Sequence, residues 1–292
     1  MLPLIVLAVA MEMMLRTIPN DYGYKNDYLT HYSASVEVLF LGSSHSYYDI
    51  NPAYIHRPSF NASYISQSLD YDNELLKKHG DRIDSLKCIA LSISYFTLFT
   101  KIENTSEAWR IKNYTIYCEM NKAKHWTDYT EMLSNKLSLN LKRLSSYYLD
   151  HKSNRTCTNL GWGTDYNSSI KNNLKESGNS AAERHTVLDT NCYRENVNIL
   201  RSIITYAHKR NIKVLFYTLP AYKTYVNKLN QKQLDITIRT VEELEYQYKN
   251  VNYFNWIDTP SFQETDFFDA DHLNEIGAEK LTKKIDSLIN KM

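Results

Sequence analysis

The sequence predicts an α/β fold, a three-layer α/β/α sandwich on a mainly parallel five-stranded sheet. Two observations predict it. Short apolar runs of strand length alternate with amphipathic helical stretches along most of the 292 residues. The third run, Leu86–Ile93, carries a continuous apolar stretch, as a strand covered on both faces requires.

In chain order, the first strand is Val36–Leu41, which runs into Gly42-Ser43-Ser44-His45. Ala62–Ile65 is a short second strand and Leu86–Ile93 the third. Lys213–Thr218, with Val-Leu-Phe-Tyr at its centre, is the fourth, and Val251–Phe254 a weaker fifth. The helix Leu69–His79 ends at Gly80, read as a left-handed C′ glycine. Val197–Arg210 places Val197, Leu200, Ile203, Ile204 and Ala207 on one apolar stripe. Gln231–Tyr248 does the same with Leu234, Ile238, Val241, Leu244 and Tyr248, and Glu275–Asn290 with Ile276, Leu281, Ile285 and Leu288.

The rhythm breaks at about residues 100–190, a polar stretch rich in Asn, Ser, Lys and Tyr. One amphipathic helix runs through it, carrying Met132, Leu137, Leu141, Leu144 and Tyr148. Trp109, Trp126, Trp162 and many tyrosines argue against disorder. The stretch follows the C-terminal end of the third strand, the edge where ligands bind in open α/β sheets. It is therefore read as a cap inserted over the site, within one domain spanning 36–292.

Residues 1–15 are apolar apart from Glu12. A spanning helix needs roughly 20 apolar residues, and the basic n-region and cleavage site of a signal peptide are missing. An uncleaved signal and a buried helix remain open. The preferred reading is a membrane anchor followed by a polar stalk at 16–35, which puts the rest of the chain outside the cytoplasm, in the periplasm or cell envelope.

Net charge is +1, with 34 basic and 33 acidic residues, so there is no electrostatic footprint for nucleic acid. The 24 tyrosines offer amphipathic faces suited to sugar stacking, although genome composition with surface tyrosines is the preferred account of the number. Glycine, at 7 residues, is scarce, and Gly42 and Gly277 both lie in or beside the motifs described next. Cys88 reads as a core residue. Cys118, Cys157 and Cys192 allow one disulfide whose pairing stays open. No histidine, cysteine or carboxylate cluster has metal-ligand spacing, and no metal or organic cofactor is expected.

Two blocks carry chemistry. A strand ending in Gly42 turns sharply and lifts a serine hydroxyl to the sheet rim, with backbone N–H groups close by for an oxyanion. Ser44 is the preferred nucleophile and Ser43 the competing one, while an N-cap role for Ser44 needs no chemistry at all. Near the C-terminus, Asp269-Ala270-Asp271-His272-Leu273-Asn274 precedes the last helix and offers a carboxylate and an imidazole three residues apart. His272 suits a general base and Asp269 its orienting acid; Asp271 is the alternative acid, and helix capping is the plain structural account. His45 is expected to line the pocket or solvate the turn. His185 is read as a cap or surface residue able to reach the pocket mouth. Asp49, Asn51 and Pro52 form a structural turn.

Gly42-x-Ser44 after a strand, with Asp269-x-x-His272 before the final helix, resembles the SGNH (GDSL-type) hydrolase superfamily. The resemblance covers about two dozen residues at the two ends together with the strand–helix rhythm. It implies a flavodoxin-like sheet order, a Ser44–His272–Asp269 triad, and hydrolysis or transfer of an acyl ester on a carbohydrate or small ester. The family's oxyanion glycine and asparagine are missing: the corresponding stretches read Ile65-Ser66-Gln67-Ser68 and Ser92-Ile93-Ser94-Tyr95. Ser66, Gln67 or Ser94 would have to substitute. Relatives with this profile include membrane-tethered proteins that O-acetylate surface polysaccharides with an acyl-donor partner. The same departures fit a decayed scaffold that binds carbohydrate or serves assembly.

Overall fold

A computed structural model describes residues 2–123, 125–187 and 189–292. The helices are α1 (Leu2–Arg16), α2 (Asp21–His31), α3 (Ser44–Asp49), α4 (Leu69–His79), α5 (Ile111–Tyr117) and α6 (Leu137–Tyr148). They continue with α7 (Leu174–His185), α8 (Tyr193–Lys209), α9 (Lys223–Val226), α10 (Gln231–Gln247) and α11 (Glu275–Ile289). The strands are β1 (Val38–Leu41), β2 (Ser59–Asn61), β3 (Cys88–Ser92), β4 (Lys213–Thr218) and β5 (Val251–Asn255).

The chain folds as two compact units, residues 1–32 with 102–157, and residues 33–101 with 158–292. This divides the stretch read as a single insertion. Its first part joins the N-terminal segment, and residues 158–190 belong to the unit that carries the sheet. Nor is 16–35 an extended stalk. Asn20 caps α2 through its side chain, and the helix buries Tyr22, Lys25 and Leu29. Asp21 of α2 accepts the backbone N–H groups of Thr156 at 2.8 Å and Cys157 at 3.0 Å. Polar composition concealed this packing, because the buried face of α2 joins Leu29 to a tyrosine and a wholly buried lysine. In the same unit Glu131 accepts Lys112 Nζ at 3.0 Å, Arg143 Nη1 at 2.6 Å and the Tyr117 hydroxyl at 2.7 Å. Burial opposes its ionisation, but Arg143 and Lys112 outweigh that and hold the carboxyl at about 2.

In the other unit five parallel strands run in the order β2-β1-β3-β4-β5, the flavodoxin-like order. Strand alternation sends Val38, Phe40, Ala90, Leu215 and Tyr217 to one face, where they pack on Ile50 and on Leu281, Ile285 and Ile289 of α11. Truncating Leu281 to alanine would cost roughly 2–5 kcal/mol, as for other buried leucines. On the opposite side α8 packs against β4, and α4 packs against α8. The result is the expected three-layer sandwich.

Two local readings are corrected. The second strand is Ser59–Asn61 rather than Ala62–Ile65. Asn61 accepts the N–H of Ser63 through its side-chain oxygen at 3.1 Å, an Asx turn, while Ala62 N–H still donates to Phe40 O at 2.8 Å. Gly80 is right-handed, φ −57°, and leads into a 3-10 turn. A Cβ there would meet the Tyr206 hydroxyl, the end of a part-exposed side chain that would have to shift. No disulfide joins Cys88, Cys118, Cys157 or Cys192. Among the described residues no helix is long and apolar enough to cross a membrane.

Candidate active site

In this sheet order the crevice lies beyond the C-terminal ends of β1 and β3, where the chain reverses its direction of winding. β1 delivers Gly42 there with φ +123°, a conformation that favours glycine. A Cβ on Gly42 would also collide with Ser92 Oγ at the end of β3. Gly42 N donates to Asp72 Oδ1 at 2.8 Å, so a buried carboxylate pins the turn from α4. Burial lifts the Asp72 carboxyl to about 7, against the opposing bonds from Gln67 and Gly42.

Ser43, not Ser44, is the N-cap of α3, and its side chain makes no capping bond. Ser44 is the first helical residue and part-exposed, with its hydroxyl turned to the crevice. Ser44 Oγ lies 2.9 Å from His272 Nε2, and His272 Nδ1 lies 2.9 Å from Asp269 Oδ1. The carboxylate directs the Nδ1 proton toward itself and leaves Nε2 to accept from the serine. The loop is rigid for a local reason. Asp269 Oδ1 also accepts the backbone N–H groups of Asp271 at 3.1 Å and His272 at 2.8 Å. Phe268 N–H donates to His272 O at 3.0 Å, closing the base of the loop. Asn274 then caps α11 by accepting from Ile276 and Gly277.

Asp271 sits beside this relay and is 2% exposed. Its Oδ2 is 3.4 Å from His45 Nε2, 3.7 Å from His272 Nδ1 and 3.8 Å from His185 Nδ1. His45 bonds Ser94 Oγ through Nδ1 at 2.8 Å, and its ring stands edge-on to His272 with centroids 4.7 Å apart. His185 Nδ1 meets the Tyr225 hydroxyl at 3.0 Å, and its ring leans on Phe96. Burial pushes His45 below its ordinary value and His185 down to about 3, with Asp271 opposing in both cases. His272 behaves oppositely. Burial lowers it too, but Asp269, Asp271 and Asp49 outweigh that and raise it to about 10. Burial alone would raise Asp271, yet the three imidazoles hold its carboxyl well below the usual range.

Of the oxyanion candidates, Gln67 is committed elsewhere: its amide donates to Asp72 Oδ1 at 2.6 Å and Gly42 O at 3.3 Å. Ser94 is taken by His45. Ser66 has φ +59°, a serine in the left-handed region within the Ile65–Ser68 stretch where the resemblance implies a glycine. Ser43 Oγ and Ser92 Oγ are buried without a protein partner beside a cavity of about 10 Å³, room for one water. The first-turn N–H groups of α3, beginning with Ser44, have no intrahelical acceptor.

Tyr166 stacks between Tyr48 and Phe268, with centroids 3.6 Å and 3.9 Å away, and presents its edge to His272 at 5.2 Å. Sequence reasoning did not find this wall, because its rings come from three separate stretches. The His45–Asp271–His272 cluster was equally invisible in local spacing. Its ligand atoms lie within 4.8 Å of one another and could hold a cation. His272 already uses both ring nitrogens on Asp269 and Ser44, so ligation there would take the Ser44 partner's proton acceptor out of position or change its tautomer.

No protein-family model and no curated protein matches the chain. Solved structures do. One, described as a platelet activating factor from Streptococcus pneumonia, is 12% identical with a TM-score of 0.47, covering 99% of this chain and 98% of that one. A GDSL-like lipase from Bacteroides thetaiotaomicron is 11% identical with a TM-score of 0.44, covering 93% and 99%. A protein described as an acylhydrolase from Bacteroides fragilis is 11% identical with a TM-score of 0.43, covering 92% and 94%.

Proposed function

We propose that this chain is a serine-dependent acyl-ester hydrolase or O-acyltransferase of the SGNH type, acting on a carbohydrate or small ester outside the cytoplasm. The observation that carries the reading is the continuous relay from Ser44 Oγ to His272 Nε2 at 2.9 Å and from His272 Nδ1 to Asp269 Oδ1 at 2.9 Å.

Ser44 Oγ attacks the ester carbonyl carbon while its proton passes to His272 Nε2. Asp269 stabilises the imidazolium and stays ionised. Charge develops on the carbonyl oxygen, and the N–H groups at the start of α3 supply donors for it, each such donor commonly worth about 3–4 kcal/mol. Collapse of the tetrahedral intermediate expels the alcohol, which takes the proton from His272. Water or a sugar hydroxyl, deprotonated by His272, then resolves the acyl-Ser44 ester. Hydrolase and transferase share every step but this last one. An acetyl donor held by a membrane partner fits the transferase variant, and support for that partner comes from the resemblance alone.

Incubation with p-nitrophenyl acetate, quenching in acid and peptide mass spectrometry test the reading. An acetyl group on the peptide bearing Ser44 is expected; acetylation elsewhere with Ser44 unmodified would end it. A second reading, a carbohydrate-binding scaffold without catalysis, draws on the commitment of Gln67 and Ser94 to other partners.

A further inference from the structure

The unit formed by residues 1–32 and 102–157 carries a surface that catalysis does not use. Leu2, Leu4, Ile5, Val6, Leu7 and Val9 of α1 are each more than half exposed. At 100° per residue, Leu4, Ile5, Val6 and Leu7 point in four directions that together encircle the helix. A protein partner would cover one face of such a helix and leave the others in water. Only a surrounding apolar medium covers them all.

The charges of α1 are confined to its other end and satisfied there. Glu12 accepts Arg16 Nε at 2.6 Å and the N–H groups of Glu131 at 3.0 Å and Met132 at 2.8 Å. Arg16 also donates to Tyr129 O at 2.6 Å. Residues 2–11 contain no ionisable side chain. A second element lies at this charged end. The Tyr148 hydroxyl of α6 donates to Met14 O at 3.2 Å, and Arg143 of α6 reaches Glu131. Around it Leu133, Leu137 and Leu141 are exposed, and Trp126, at 73% exposure, stands one turn from Tyr129. Residues 132–149 hold Lys136, Lys142 and Arg143 and no acid. Arg143 is spent on Glu131, whereas Lys136 and Lys142 face solvent.

Exposed leucines, an aromatic residue at the boundary and unopposed lysines are the chemistry of a headgroup layer facing anionic lipid. We propose that this unit docks on an anionic bilayer: residues 2–11 enter the hydrocarbon, and the Lys136–Leu141 turn of α6 with Lys142 lies on the headgroups. Segments more than a hundred residues apart thereby form one membrane footprint. The inference does not depend on the chemistry at Ser44.

Vesicle flotation of the full chain tests it, using phosphatidylcholine vesicles and vesicles of phosphatidylcholine with phosphatidylglycerol. Wild type is expected to float with both and to bind the anionic vesicles more tightly. K136E/K142E should lose at least about thirtyfold in affinity for the anionic vesicles and little for the neutral ones. L4E/L7E, at two exposed positions and with its fold checked by circular dichroism, should float with neither. Equal affinity of wild type and K136E/K142E for anionic vesicles would remove α6 from the footprint and overturn the proposal. So would a wild type that stays unbound as a dimer by light scattering, since a second copy would then cover α1.

Discussion

Asp49 Oδ1 accepts the backbone N–H of Leu273 at 2.9 Å, which ties the last residue of the Ser44 helix to the residue after His272. The nucleophile and the base come from opposite ends of the chain, and this buried bond sets their spacing. Burial raises the Asp49 carboxyl well above its ordinary value, against the opposing His272 charge and the Leu273 bond.

Asp49→Ala should therefore slow fluorophosphonate labelling of Ser44 and destabilise the protein by about 1–3 kcal/mol, the cost of stranding a buried N–H. Asp49→Asn keeps the acceptor and should stay close to wild type in both. Thermal melts beside labelling rates check the pair. Equal loss in the two variants would mean that the carboxyl matters for something besides this bond.

Gly42→Ala tests the turn. Its φ of +123° and the collision with Ser92 act together, so a loss of about 2–4 kcal/mol is expected. The double variant G42A/S92A removes the collision and leaves the dihedral strain, and should recover only part of the loss in denaturant unfolding.

Asp271→Asn should move the pH profile. The carboxylates of Asp269, Asp271 and Asp49 and the imidazoles of His45 and His185 all influence His272, which stands at about 10. Only the neutral imidazole accepts the Ser44 proton, so labelling by wild type should rise with pH toward that value. Removing the Asp271 charge lowers the His272 value and shifts the rising limb to lower pH. The stability consequence has a definite sign. The folded value lies above the unfolded 6.5, so the contribution is fully present below about 6.5 and is lost as pH rises through about 10. Unfolding midpoints at several pH values should show this fall in wild type and a shallower one in D271N.

The layers and four of the five strands were legible because each rests on local pattern, apolar runs and stripes at helical spacing; the pairing of the two motif blocks came from the family resemblance. What was not legible depends on contacts between distant residues. Asp271, the alternative acid, lies 3.7 Å from His272 Nδ1, and its carboxylate also crosses to His45, 226 positions away, a contact that local spacing does not reveal. The Tyr48–Tyr166–Phe268 stack and the burial of α2 have the same origin. No local rule marks Tyr166 as a partner of Tyr48, or Asp21 as a partner of Thr156. The second strand was misplaced by three residues: its regular pairing covers Ser59–Asn61, while Ala62 and Tyr64 beyond it still donate to Phe40 O and Gly42 O.

The central claim is that His272 activates Ser44. Fluorophosphonate labelling of wild type, Ser44→Ala, His272→Ala and Asp269→Asn tests it most directly. Wild type should label, S44A and H272A should not, and D269N should label about 10³–10⁴ times more slowly. Labelling of H272A at the wild-type rate, or no labelling of a folded wild type, would contradict the account.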